Sequence, residues 1–124
     1  MSNIKELQKE IHANAVDKGF WEGEANNIPT KLMLIVSEIS EALEAHRKDK
    51  RFTDDIGAIN GWILKGDFVT HFEIACKDTF EDELADAVIR ILDLAGGLNI
   101  DLEGHIKAKM RYNATRPHKH GVKY

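Results

Sequence analysis

Four carboxylates in this chain are spaced for metal chemistry. Glu38 and Glu41 stand three residues apart in one apolar run, and Glu83 and Asp86 stand three apart in another. On a helix, residues i and i+3 are neighbours, about 5–6 Å apart at Cβ. Each pair begins beside core-type residues. Glu38 projects between Leu34, Ala42 and Ala45, and Glu83 falls next to Leu94 on the helical wheel. A carboxylate at the edge of a core is costly unless it is paired or binds a metal. If the two helices pack antiparallel, the four acids converge, and their repulsion is roughly several kcal/mol even at an effective dielectric near 20. All-oxygen ligation suits a hard cation, Mg²⁺ or Mn²⁺. The competing reading is two solvated faces with an ion pair from Arg90, which is i+4 from Asp86 and i+7 from Glu83.

A second group of residues suits phosphates. Lys109, Asn113 and Arg116 lie at i, i+4 and i+7. Mg²⁺ keeps waters and takes substrate phosphates as further ligands, which such a strip helps to hold. From Gly104 to the end there are six basic residues, Lys123 among them, and no acid. The net charge is −4, so the rest of the chain carries about ten net negative charges. Simple charge balance accounts for this division as well as a metal–polyphosphate ligand does. The acid surplus disfavours a nucleic acid polymer as partner.

Phe20 and Trp21 place two aromatics in a short loop, either as packing or as a platform for a planar ring. His12 precedes Trp21 by nine residues. Other chemistries fit less well. A di-iron bundle wants Glu-x-x-His, which neither acidic helix has. A Gly-rich phosphate loop, an HExxH motif and a nucleophile elbow are all missing. His118-x-His120 reads as solvated or phosphate-facing, and Cys76 as a buried small hydrophobe.

Helices must position these groups. Two prolines, helix formers throughout and few alternating β-branched runs predict an all-α fold. A length of 124 residues predicts one domain. The first helix is expected over Asn3–Lys18, and the second from about Pro29 to His46 or Lys48, with Leu32, Ile35, Val36, Ile39 and Leu43 as its core stripe. The central helix is expected over Thr79–Gly96. Thr79 is its N-cap, Asp82 a box-like partner, and Gly96-Gly97 its stop. Its apolar arc is Phe80, Leu84, Ala87, Val88, Ile91, Leu94 and Ala95. The last helix is expected over about Leu102–Thr115, with Leu102, Ile106 and Met110 inward. Residues 50–78 form an insertion that leans helical, although Trp62-Ile63-Leu64 also fits a short strand. Residues 117–124 form a basic tail. The N-terminus is too polar for a signal peptide, and no apolar run approaches a membrane span. A lone cysteine fits a reducing cytosol, so a cytoplasmic location is expected.

The segments VSEISEAL (Val36–Leu43), DELADAVIRILDL (Asp82–Leu94) and KMRYNATRPHKHG (Lys109–Gly121) resemble the MazG-like all-α NTP pyrophosphatases. The resemblance extends over nearly the whole chain and is weakest at residues 50–78. It implies a four-helix-bundle protomer that forms homodimers or homotetramers. Glu38, Glu41, Glu83 and Asp86 would bind Mg²⁺, with Glu38 or Glu41 accepting the proton of the attacking water. The substrate would be a nucleoside triphosphate cleaved between the α and β phosphates. The pattern is similar to the dCTP pyrophosphatase branch, which implies base contacts from His12 and Trp21, with Phe20 expected beside them. It also implies phosphate contacts from Lys109 and Asn113, joined by Arg116 or Lys123. The chain departs from that branch in a longer segment between the acidic motifs and in having Trp62, not an earlier Trp, after the second helix. A non-catalytic helical module of the same fold and a phosphoribosyl-ATP-type pyrophosphatase are the rival readings.

Overall fold

The computed structural model describes residues 3–23 and 27–121, and Lys123 lies outside them. The described residues form six α-helices and one 3-10 turn, and no strand. The helices are α1 (Ile4–Asp17), α2 (Ile28–Arg47), α3 (Ala58–Lys65), α4 (Phe68–Ala75), α5 (Phe80–Gly97) and α6 (Leu102–Ala114); the 3-10 turn is His118–Gly121. The all-α expectation therefore holds. The strand alternative at Trp62-Ile63-Leu64 does not, because these residues lie inside α3. Among the described residues, no helix is long and apolar enough to cross a membrane.

Side-chain caps start α1, α2 and α6, as Thr79 does for α5. Asn3 accepts from Glu6 N at 2.8 Å, Asn27 from Thr30 N at 2.8 Å and Asp101 from Gly104 N at 3.1 Å. The stops are residues in the left-handed region. Gly19 (φ 83°) closes α1 and Asp49 (φ 55°) closes α2. The end of α5 corrects the sequence reading. Gly96 and Gly97 stay helical, and the stop is Asn99 at φ 56°. Asn99 N bonds to Gly96 O and Ile100 N to Ala95 O, a Schellman closure with asparagine in place of glycine.

The chain divides into two compact units, with the division falling inside α5. Met1–Glu22 and Leu92–Tyr124 form one, and Gly23–Ile91 forms the other. In the first, α1 packs on α6, and Leu92 and Ala95 are buried. In the second, α3 packs on α4, Trp62 stacks on His71 with ring centroids 5.4 Å apart, and the buried apolar residues are Ala42, Ala45, Cys76 and Ala87.

The small size of those residues reverses an expectation. Leu32, Val36, Ile39 and Leu43 of α2 remain 45–54 % exposed, and Leu84, Val88 and Ile91 of α5 remain 39–53 % exposed. Met110 of α6 is exposed as well. The side that α2 buries carries Glu38, Ala42 and Ala45. Large apolar stripes mark a face that avoids water, but they do not say whether the cover comes from the same chain.

Candidate metal centre

The end of α2 is tied to the start of α5 by the loop that follows α2. Phe80 N bonds to Lys50 O at 2.9 Å, and Phe52 N donates to Glu81 Oε1 at 3.1 Å. Arg51 lies 4.0 Å from the centroid of the Phe80 ring and is 2.8 Å from His46 Nδ1. Thr79 caps α5 as expected, accepting from Asp82 N at 3.2 Å. The reciprocal bond is displaced by one residue, since Asp82 Oδ2 accepts from Asp78 N rather than from Thr79 N. Glu81 and Asp82 are thus committed to backbone donors at the helix start, which leaves Glu83 and Asp86 for other work.

These two meet Glu38. Glu38 is 7 % exposed and Glu83 is 5 % exposed, and oxygens of Glu38, Glu83 and Asp86 all lie within 4.8 Å of one another. Oxygens bound to one Mg²⁺ at ~2.1 Å lie at most about 4.2 Å apart, so a small closure of the side chains brings them into range. Arg90 Nε donates to Glu38 Oε1 at 2.8 Å. Glu38 Oε2 and Glu83 Oε2 are buried with no hydrogen-bond partner among the described residues. Buried carboxylate oxygens without partners are expensive, and a cation would satisfy both. The residues therefore fit an oxygen-ligated divalent ion. Glu41 is solvent-exposed but near enough to act on the charge of both glutamates.

The charges reflect this crowding. Burial, then the carboxyls of Glu41 and Glu38, push Glu83 up to about 8. Burial and the charges of Asp82 and Glu38 push Asp86 up to about 6, with Arg90 opposing. For Glu38, burial pushes upward, but Arg90 and the neighbouring carboxyls outweigh it and hold the group below the usual range. The solvated-face alternative is thus overturned for Glu38 and Glu83, and Arg90 pairs with Glu38 rather than with Asp86 or Glu83. Asp78, Asp82 and Glu83 form a second acidic group. Asp82 is already bonded there and Asp78 is exposed, so it is the poorer ligand set.

The phosphate candidates lie on and just past α6. Lys109 and Arg116 are exposed, Asn113 half-buried. Lys109 Nζ lies 5.1 Å and Arg116 Cζ 5.7 Å from the centroid of the Tyr112 ring. Tyr112 thus sets both cations on one side of the helix end, a role that the sequence reading missed.

His12 and Trp21 do come together, with ring centroids 5.0 Å apart and the rings nearly perpendicular. Phe20 is 61 % exposed. The residue joining His12 and Trp21 is Asp93. Its Oδ1 is 2.9 Å from His12 Nδ1 and accepts from Trp21 Nε1 at 2.8 Å. The two glycines of α5 permit this. A Cβ on Gly96 would lie 2.8 Å from His12 Cβ, and one on Gly97 would overlap the Trp21 ring. The Gly-Gly pair read as a helix stop is instead a close-approach surface for α1 and Trp21. The signal available in the sequence was Asp93 itself, an acid in the last apolar turns of α5. Trp62 is engaged with His71.

No family model, no curated protein and no solved structure matches the chain.

Proposed function

We propose that this chain is a divalent-metal-dependent nucleoside triphosphate pyrophosphatase. In this reading it hydrolyses (deoxy)nucleoside triphosphates between the α and β phosphates and serves nucleotide-pool house-cleaning. The observation that supports it is the convergence of Glu38, Glu83 and Asp86, with one buried, unpartnered oxygen on each glutamate. A bound Mg²⁺ or Mn²⁺ supplies charge neutralisation at the phosphoryl oxygens and acidifies a bound water.

The chain's residues do the rest. Glu38 keeps Oε1 on Arg90 and offers Oε2. Glu83 and Asp86 complete the ligand set from α5, with Glu41 beside them. Glu41 is the exposed carboxyl of the four and is the group placed to accept the proton of the attacking water. Lys109, Asn113, Arg116 and Lys123 are assigned to the phosphates, and His12, Trp21 and Phe20 to the base. The exposed stripes of α2 and α5 are read as contact surfaces for further copies in a homodimer or homotetramer.

A panel of the common nucleoside and deoxynucleoside triphosphates, assayed for pyrophosphate with Mg²⁺ and with Mn²⁺, tests the reading. Metal-dependent pyrophosphate release from at least one of them is expected. No release from any of them with either metal would overturn it in favour of a non-catalytic helical module. Strong preference for phosphoribosyl-ATP in competition would move the reaction to that adduct.

A further inference from the structure

Arg90 spends only Nε on Glu38, whose Oε1 accepts at 2.8 Å. A guanidinium stays charged and keeps its other N–H donors on the two terminal nitrogens. Among the described residues those nitrogens make no hydrogen bond and no further ion pair, and neither is a buried, unsatisfied atom. They reach solvent from a side chain that is 37 % exposed, while the carboxylate that holds it is 9 % exposed. Glu38 therefore anchors Arg90 with one oxygen and leaves the other, Oε2, without a partner. A cation on Oε2 would have the guanidinium on the opposite oxygen of its own ligand. Oxygens bound to one Mg²⁺ lie at most about 4.2 Å apart, so a phosphoryl oxygen sharing that ion with Oε2 is an immediate neighbour of the carboxylate.

Charge points the same way. Glu38, Glu41, Glu83 and Asp86 are all acids, a polyphosphate adds charge of the same sign, and a divalent ion alone does not balance both. Lys109, Asn113 and Arg116 belong to the other compact unit. Arg90 belongs to the unit of Glu38, Glu83 and Asp86, and among the described residues it is the cation paired with an acid of that cluster. We infer that Arg90 binds a non-bridging phosphoryl oxygen of the metal-bound polyphosphate through its terminal nitrogens, with Glu38 fixing the plane of the guanidinium. The inference rests on the reading of the acidic cluster as a site for a divalent ion and a polyphosphate. A planar fork matches phosphate with two parallel donors, which an ammonium cannot do. Counter-ion work alone has the opposite consequence. Removing the positive charge beside Glu38 makes that carboxylate more attractive to a cation, and would strengthen binding of Mg²⁺ and of Mg²⁺-polyphosphate together.

The test titrates the full chain calorimetrically at pH 8, first with MgCl₂ alone and then with inorganic tripolyphosphate in excess Mg²⁺, a probe without base or sugar. Arg90→Gln should bind Mg²⁺ at least as tightly as wild type, and tripolyphosphate about tenfold or more weakly. Arg90→Lys restores the charge without the fork and should recover only part of that loss. Circular dichroism should show the helices retained in both variants. If Arg90→Gln does not fold, Arg90→Lys carries the test alone, and should bind tripolyphosphate about threefold or more weakly than wild type. Three outcomes would each overturn the inference: wild type that binds no tripolyphosphate, variants that bind it as tightly as wild type or more so, and a parallel loss of Mg²⁺ binding, which would make Arg90 a structural prop. No pyrophosphate release from any nucleotide, alongside Arg90-dependent tripolyphosphate binding, would sink the reaction proposed above and leave this contact standing.

Discussion

Arg90 Nε donates to Glu38 Oε1 at 2.8 Å, so the guanidinium satisfies one oxygen of a buried carboxylate and leaves Oε2 without a partner. Arg90 therefore acts as a partial counter-ion. Arg90→Gln should destabilise the metal-free protein by about 1–2 kcal/mol, less than for a fully buried pair because the Arg90 side chain is 37 % exposed. The variant should recover more of its stability than wild type on adding Mg²⁺, because the cation then compensates a larger unpaired charge. Thermal melts with EDTA and with Mg²⁺ measure both effects. Equal Mg²⁺-induced shifts in the two proteins would show that no cation sits beside Glu38.

The raised acids predict an unusual pH dependence. Glu83 moves from an ordinary value of 4.5 to about 8. Across that window the folded protein keeps a proton that the unfolded chain has released, so the metal-free protein loses stability as pH rises from about 4.5 to 8. The slope is at most about 1.4 kcal/mol per pH unit for one proton. Asp86, raised from 3.8 to about 6, adds the same sign in the lower half of the window. Glu38 is held below the usual range and acts in the opposite sense; its stabilisation is lost only as pH falls below the ordinary glutamate range. Metal binding requires the deprotonated acids, so Mg²⁺-induced stabilisation should grow with pH. Glu83→Gln should flatten the slope, raise the metal-free melting temperature at pH 8 and abolish the Mg²⁺ shift. A melting temperature that rises with pH in EDTA would contradict the buried, crowded state of Glu83.

Much of this acidic cluster was legible in the sequence because acids at i, i+3 stood out in otherwise apolar helices. Misread in part was the side of each helix that the chain buries: Ala87 and Ala95 of the expected α5 arc are buried, but Leu84, Val88 and Ile91 are exposed. Large residues drew the eye to Leu32, Val36, Ile39 and Leu43, whereas the buried neighbours of Glu38 are Ala42 and Ala45. Alanine allows close approach and carries little hydrophobic signal of its own. The insertion was hard to read for a related reason. Its two helices have eight residues each, no side-chain cap bond, and a break at Gly66 that no period announces. No sequence pattern ties Asp93 to His12 and Trp21, because these partners are 81 and 72 residues away in the chain, a separation that helical spacing cannot bridge.

The exposed stripes predict self-association. Val36 and Ile39 are 54 % and 51 % exposed. On a true monomer surface, replacing either by glutamate changes stability by about 0.5 kcal/mol or less. In an interface the buried charge is prohibitive. Val36→Glu and Ile39→Glu should therefore lower the sedimentation-derived mass of a dimer or tetramer to that of one 14.0 kDa chain. Wild type that sediments as a monomer at high micromolar concentration would refute the interface.

Gly97 offers the sharpest separation of helix propensity from packing. It lies inside α5, where alanine is worth about 1 kcal/mol more than glycine by intrinsic preference. Propensity alone thus predicts that Gly97→Ala stabilises the protein. The added methyl, however, would overlap the Trp21 ring, and ring and helix backbone are both hard to displace. Overpacking of this kind costs about 1–3 kcal/mol, enough to outweigh the gain. Trp21 would have to leave its place, breaking its bond to Asp93 and entering water. In a Trp62→Phe background, where Trp21 is the only indole of the chain, Gly97→Ala should shift the fluorescence maximum to the red and lower the melting temperature. The acidic cluster of Glu38, Glu83 and Asp86 belongs to the other unit, so any Mg²⁺-induced melting shift should persist. A stabilised variant with an unshifted spectrum would mean that Trp21 does not rest on Gly97.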